Sequence, residues 1–293
     1  MKSGFISVIG RPNVGKSTLL NKIVGQKLTI TSNKPQTTRN KITCIYTTEE
    51  GQAVFLDTPG IHKPAHKLDE HMMEQVTDAM SGIDLTIVMV EPGRPHEDDL
   101  SAVAMAKRSR AKKILVINKI DSVPIEKVAE TARNYQEMGC FDEIVPVSAF
   151  VGTNVKELIK VIFDYLPQGQ YFFPEDMVTD QPEKVLCAEF IREKALYVLS
   201  HEIPHGIAVV IDSFKERSRQ NLVDIDATII CERESHKPII IGKHGATIKE
   251  IGTQARVEIE KMLGIQVNLK LWVKVKERWR DSEIAVRNYS RQD

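Results

Sequence analysis

Two short motifs, read in order, restrict this chain more than anything else in it. Gly10-Arg11-Pro12-Asn13-Val14-Gly15-Lys16-Ser17 stands between the strand-like run Phe5 to Ile9 and the helix-like run Thr18 to Val24, and Asn118-Lys119-Ile120-Asp121 follows the apolar run Lys113 to Ile117. A G-x-x-x-x-G-K-[ST] stretch at a strand-to-helix junction is a phosphate-binding loop. Gly10 and Gly15 let it curl so that backbone N–H groups point at phosphate oxygens, backed by the positive end of the next helix. Lys16 then reaches the β and γ phosphates, and Ser17 offers its hydroxyl to Mg2+. The second motif selects the base. Guanine presents N1–H and an exocyclic amino group, and the Asp121 carboxylate can accept from both; adenine would leave that carboxylate without partners, at a cost. Asn118 is placed to brace N7 and the phosphate loop, and the Lys119 stem to lie over the base plane. Ser148-Ala149, just after Ile144 to Val147, can set a backbone N–H on guanine O6. The ligand expected is GTP or GDP.

Between these motifs, Asp57-Thr58-Pro59-Gly60 closes the apolar run Ala53 to Leu56. Asp57 can hold Mg2+ through water, and the N–H of Gly60 can meet a γ phosphate whose loss releases the following loop. Upstream, Pro35-Gln36-Thr37-Thr38-Arg39 offers a Thr to complete the Mg2+ shell; Thr38 is favoured, and Thr37 stays open. Taken together, the four elements resemble the translation-factor branch of the P-loop GTPases. One position departs from the Ras-like pattern. A Gln after D-x-x-G orients the attacking water there, and here Ile61 stands in its place, so hydrolysis must draw on Lys16, Mg2+, backbone donors and some further charge, with slow intrinsic turnover. Asn13 has two readings. It shapes the loop, or, as resemblance to GTPases with a G-x-P-N-x-G-K-[ST] loop implies, it ligates K+ between the phosphates in place of an arginine finger.

The chain has 293 residues with 40 basic and 40 acidic side chains and 42% apolar content, which suits a soluble two-domain protein with packed cores. Residues 1 to 183 hold 21 Lys and Arg against 24 Asp and Glu, while 184 to 293 hold 19 against 16. The asymmetry directs a nucleic-acid expectation to the second half. Cys44, Cys140, Cys187 and Cys231 are scattered without a C-x-x-C pair, which suggests neither a disulfide framework nor a zinc site and fits the cytoplasm. His62, His66 and His71 lack the companions of a metal site and read as solvated. Apolar runs such as Leu85 to Val90 are strand-sized, too short to span a membrane.

In the first half, short apolar runs at Phe5–Ile9, Ala53–Leu56, Leu85–Val90, Lys113–Ile117 and Ile144–Val147 alternate with helix-like segments, a pattern that predicts an α/β doubly wound, mostly parallel sheet. Gln36 to Tyr46 is expected to form an antiparallel edge strand, and Asn154 to Leu166 a closing helix. We expect domains at 1–168 and 184–293, joined by a Pro-, Gly- and aromatic-rich linker at 169–183.

The second half predicts a smaller α+β domain. Leu186 to Leu199 is helix-like, Ala208 to Phe214 and Asp226 to Glu232 are strand-like, and Gly242-Lys243-His244-Gly245 sits between Ile239-Ile240-Ile241 and Ile248 to Ile251. A G-x-x-G loop between two helices clamps a nucleic-acid backbone in KH domains: the glycines permit close approach and Lys243 supplies charge. From Gln266 to Lys276 the pattern alternates, with Val267, Leu269, Leu271, Val273 and Val275 on one face and Lys270, Trp272, Lys274 and Lys276 on the other. That second face is either RNA-binding or plain solvated surface, and Arg278-Trp279-Arg280 would extend its basic, aromatic character along a groove. The order of elements resembles KH type II.

A P-loop GTPase domain followed by one KH type II domain resembles the bacterial Era GTPases over essentially the whole chain. The matching phrases are the phosphate loop with Thr18-Leu19-Leu20-Asn21, Pro35 to Arg39, Phe172-Phe173-Pro174-Glu175-Asp176, Arg192-Glu193-Lys194 and Ile239 to Gly245. The resemblance implies nucleotide contacts from Gly10 and Asn13 through Thr18 and from Asp57, Gly60, Asn118, Lys119, Asp121, Ser148 and Ala149. Catalysis would fall to Asn13, Lys16, Thr38 and Gly60, and Mg2+ to Ser17, Thr38 and Asp57. It further implies 16S ribosomal RNA near its 3′ end and the 30S subunit as partners, a role in small-subunit assembly, peripheral membrane contact and a monomeric chain. The rival reading keeps the GTPase switch but gives the C-terminal domain a protein effector in place of RNA.

Overall fold

The computed structural model describes residues 1–32, 34, 37–200 and 203–290, and its contacts divide the chain into two compact units, Met1–Pro64 with Met72–Asp180, and Ala65–His71 with Gln181–Asp293. Pro35 and Gln36, expected in the first switch, lie outside the described residues.

In the first unit the strands are β1 (Lys2–Ile9), β2 (Ile42–Thr48), β3 (Gly51–Asp57), β4 (Leu85–Val90), β5 (Lys112–Ile117) and β6 (Glu143–Pro146). They form one sheet in the order β2-β3-β1-β4-β5-β6, with β2 antiparallel to β3 and every other pair parallel. The helices are α1 (Lys16–Val24), α2 (Lys67–Asp78, of which this unit holds the part from Met72), α3 (Glu97–Arg108), α4 (Ile125–Gln136) and α5 (Val155–Tyr165). Strand periodicity explains why both sheet faces are apolar. Leu85, Ile87 and Met89 of β4 join one core with Leu19, Leu20 and Ile23 of α1 and Leu158 and Ile162 of α5, while Val88 and Val90 join a second core with Val103, Val128 and Tyr135. Among the described residues the edge strand is β2 at Ile42–Thr48, against the expected Gln36 to Tyr46, and the Thr37 and Thr38 hydroxyls make contacts outside the sheet.

The linker-like stretch is tied to this unit along β2 and β3. Gln52 accepts from the backbone of Phe172 and Phe173 and donates to Phe173 O, the Tyr171 hydroxyl reaches Thr48 O, Ile45 N donates to Val178 O, and Thr179 donates to Thr43 O. Phe172 also packs on Phe5, ring centroids 4.7 Å apart.

The second unit contains α6 (Glu183–Val198), β7 (Ala208–Arg217), β8 (Leu222–Cys231), α7 (His236–Ile241), α8 (Ala246–Leu263), β9 (Gln266–Val275) and α9 (Glu283–Ser290). Its sheet runs β7-β8-β9, the first pair antiparallel and the second parallel. α6 packs on α8, and α8 packs on β9 closely enough that a Cβ on Gly252 would come within 3.3 Å of Leu271. The core is drawn from Phe190 and Ile191, from Val223, Ile225, Ala227 and Ile229, and from Ile251, Ala255 and Ile259.

Candidate active site and nucleic-acid interface

The phosphate loop joins β1 to α1 at the carboxyl end of the sheet, where parallel α/β sheets bind ligands. Its shape depends on two close approaches. A Cβ on Gly10 would fall 2.4 Å from Met89 O, and one on Gly15, at φ 100°, would fall 2.2 Å from Asn118 Nδ2. Asn13 adopts a left-handed conformation, φ 64°, that Asn tolerates better than most residues, and its carbonyl accepts from Lys119 Nζ at 2.8 Å. Lys16 is buried at the start of α1, with Nζ 3.1 Å from Gly10 O and 3.2 Å from Arg11 O. Burial brings its pKa down to about 8, against the upward pull of Asp57. Thr18 is the third residue of the helix.

Three oxygens converge beside this lysine. Ser17 Oγ donates to Asp57 Oδ2 at 2.7 Å and lies 3.0 Å from Thr38 Oγ1. Thr37 is turned away, its hydroxyl bonded to Lys34 O, so the geometry brings Thr38 to the cluster. Asp57 Oδ1 is buried without a hydrogen-bond partner, and burial pushes the carboxyl pKa up to about 6, though Lys16 and the Ser17 hydroxyl pull it down. A buried carboxylate oxygen left open beside two hydroxyls suits a hard dication with oxygen ligands. The residues present therefore fit Mg2+.

Gly60 packs on the loop so tightly that a Cβ would lie 2.6 Å from Pro12 N. Next to it, Ile61 donates its N–H to Gly10 O and buries its side chain in the second core, so the position contributes packing and no polar group to the site. His62, expected to be solvated, has Nδ1 2.7 Å from Gly60 O.

Asn118 links the two motifs. Its Nδ2 donates to Val14 O at 2.7 Å, its Oδ1 accepts from Ala149 N at 2.9 Å, and Ser148 N donates to Thr153 O, so both backbone N–H groups of the pair expected near guanine O6 are engaged within the protein. Ser148 closes a tight turn in which Gly152 N donates to Ser148 O and Val151 N to Ser148 Oγ. Lys119 has φ 62°, and Asp121 follows in a short 3-10 turn with its carboxylate exposed. Two neighbours escaped the sequence reading. Glu91, immediately after β4, pairs with both Arg11 and Lys119, and Asp99 of α3 holds Arg11 Nε at 3.3 Å. The only signal available for Glu91 was its place at the carboxyl end of a parallel strand.

In the second unit, Gly242 (φ 75°) and Gly245 (φ 78°) bracket Lys243 and His244, both exposed, between α7 and α8. The loop opens onto the N-terminus of the 18-residue α8, a favourable place for phosphate. α7 lies against β9, whose exposed residues include Lys270, Trp272 and Lys274. Strand register qualifies the basic face expected from β9 alone. Asp226 of β8 lies opposite Lys270, and Asp224 accepts from Asn268 at 2.7 Å and pairs with Arg217. The extension through Arg278-Trp279-Arg280 is corrected. Trp279 is buried, donating Nε1–H to Gly206 O at 2.9 Å, and Arg280 is paired with Glu232. A bulky ring after the last strand seals the core in preference to facing solvent.

Comparison with known proteins places these features. A family model described as a 50S ribosome-binding GTPase matches residues 5–119, and one described as a KH domain matches residues 202–280. The chain is 50% identical to the GTPase Era of Clostridioides difficile, over 100% of this chain and 99% of the relative, and 52% identical to that of Clostridium kluyveri, over 97% of each. Two solved structures each match with a TM-score of 0.95 at 41% identity. They are a tyrosine-to-alanine variant of Aquifex aeolicus Era bound to GDP.AlF4-, covering 99% of both chains, and Era in complex with MgGDPNP and nucleotides 1506–1542 of 16S ribosomal RNA, covering 99% of this chain and 98% of that one.

Proposed function

Because the chain belongs to the GTPase Era family, we propose that it is a GTP-hydrolysing switch that binds 16S ribosomal RNA near its 3′ end and acts in small-subunit assembly. The observation that carries the reading is the convergence of Ser17, Thr38 and the open oxygen of Asp57 beside buried Lys16. Ser17, Asp57 and Thr38 would hold Mg2+, which supplies positive charge to the β and γ phosphate oxygens when bound. Lys16 exchanges its two carbonyl contacts for phosphate oxygens, and the N–H of Gly60 meets the γ phosphate. Asp121 reads the guanine edge, Asn118 braces the loops on either side, and the Lys119 stem covers the base.

Intrinsic hydrolysis is slow, because Ile61 is committed to the core and no side chain there can orient water. Asn13 is the candidate K+ ligand; its left-handed backbone already accounts for a loop-shaping role, so K+ dependence of turnover decides between the two. The GTPase module comprises the first unit, and the RNA-binding module the second. RNA runs along Gly242-Lys243-His244-Gly245 and the exposed side of β9 with Lys270, Trp272 and Lys274. The chain acts in the cytoplasm as a monomer.

The test is binding of single-stranded RNA from the 16S 3′ end, with a GTP analogue and with GDP, across a salt series. Replacing Gly242 would confound it, because a Cβ there falls 2.2 Å from Thr247 Oγ1 and 2.7 Å from Thr247 N. Lys243→Asp/His244→Asp alters only exposed side chains. Salt-dependent binding that differs between nucleotide states and is lost in the double variant is expected. Equal affinity in both states would remove the switch, and no RNA binding at all would favour the protein effector.

A further inference from the structure

Glu91 is where the phosphate half and the base half of the site meet. One of its carboxylate oxygens pairs with Arg11 Nη2, inside the phosphate loop, and the other with Lys119 Nζ, inside the base-reading motif. Arg11 is also held by Asp99, whose second oxygen accepts from His96 N at the start of α3. Lys119 in turn reaches back to Asn13 O at 2.8 Å. A ring of contacts thus closes through Arg11, Glu91, Lys119 and Asn13. Glu91 is three-quarters shielded from solvent; burial works against its charge, but the hydrogen bond from Lys119 and the charges of Arg11 and Lys119 outweigh it and hold its pKa below the ordinary glutamate value.

Three features give this ring a task beyond stability. Lys119 carries a left-handed backbone, a conformation that costs a non-glycine residue energy and persists only where its surroundings fix it. Its stem is the part of the motif that would lie over the base. Arg11 and Lys119 are also like charges that a single carboxylate brings together, so neutralising Glu91 leaves both cations facing an uncharged group.

We propose that Glu91 is a positioning residue for the guanine nucleotide, coupling the phosphate loop to the base-covering lysine so that the two halves of the site close as one. The inference rests on the nucleotide reading of this site. Glu91 itself touches no nucleotide; it acts through Arg11 and Lys119, and its loss shortens the life of the complex. Base discrimination stays with Asp121.

Dissociation of fluorescently labelled GDP from the full chain tests this, with Glu91→Gln, Lys119→Met and the double variant compared by stopped flow. Glu91→Gln is expected to speed dissociation by about fivefold to twentyfold, and the double variant to be little faster than the faster single variant, as for residues acting through one contact. Preference for GDP over ADP should persist in Glu91→Gln. Should that variant fail to fold, Glu91→Asp serves, because a side chain one methylene shorter cannot reach both cations and should give the same acceleration. A dissociation rate within twofold of wild type, or single effects that multiply in the double variant, would overturn the coupling. Failure of the wild-type protein to bind GDP would instead sink the nucleotide reading beneath it.

Discussion

Lys16 and Asp57 are ionisable groups of opposite sign buried in one place, and the same burial lowers the pKa of the first to about 8 and raises that of the second to about 6. Each restrains the other, and a ligand carrying anionic oxygens and a cation would satisfy both. Asp121, proposed to read the base, presents the contrary case and is exposed. Replacing its carboxylate by an amide substitutes a donor where guanine offers its amino group. Asp121→Asn is therefore expected to weaken GDP binding by about a hundredfold and to improve binding of xanthosine diphosphate, whose 2-oxo group accepts, as measured by titration calorimetry. Glu91 supplies a pH signature. Its folded pKa lies below the ordinary 4.5, so between the two values the unfolded chain binds more protons and stability rises with pH. That contribution is complete above about pH 4.5 and is lost as pH falls through the folded pKa. Thermal melts should show wild type losing stability more steeply than Glu91→Gln on acidification below that point; parallel curves would deny the shift. The motifs were legible because each is a short pattern of fixed spacing, as in Gly10 to Ser17 and Asn118 to Asp121. Glu91 and Asp99 were not, since nothing local marks a carboxylate as the partner of an arginine that lies 80 residues from the first of them.

Two tryptophans seven positions apart show how elements assign roles that composition leaves equal. Trp272 points outward from β9, 61% exposed, whereas Trp279, in a short turn after the same strand, is 1% exposed and edge-on to Tyr289. Trp279→Ala should cost about 3–5 kcal/mol of stability in denaturant unfolding, as large aromatic truncations in cores do, and leave a buried carbonyl at Gly206 without its donor. Trp272→Ala should change stability by no more than about 0.5 kcal/mol yet weaken RNA binding by about 1–3 kcal/mol through lost base stacking. Unchanged RNA affinity would return that face to plain solvated surface. Alternation along β9 was readable from the sequence, and its inward and outward residues follow the expected pattern. Which neighbours share the outward face was not, because it depends on the register that sets Asp226 of β8 opposite Lys270. Likewise no local pattern showed that Gln52, a single side chain on β3, would engage the backbone of two of the linker aromatics after residue 168.

At the scale of the whole molecule, the chain divides into two compact units, and among the described residues no helix is long and apolar enough to cross a membrane. A ligand that binds only the folded first unit must stabilise it by mass action, about 2.7 kcal/mol at a hundred times its dissociation constant. Differential scanning calorimetry with a GTP analogue and Mg2+ should therefore show an upward shift that Lys16→Ala abolishes; an equal shift in that variant would mean the nucleotide binds elsewhere. The sequence by itself determined the doubly wound sheet, the KH-like order of elements and the chemistry of the nucleotide motifs. Each is written in local periodicity or in residues only a few positions apart, where backbone geometry leaves little choice. Tertiary structure alone decided that Thr38 and not Thr37 meets Ser17, that Ile61 belongs to the core, that Trp279 is inside, and that one glutamate joins the two halves of the site. Those outcomes turn on strand register and on side chains brought together from distant positions, and no local pattern encodes either.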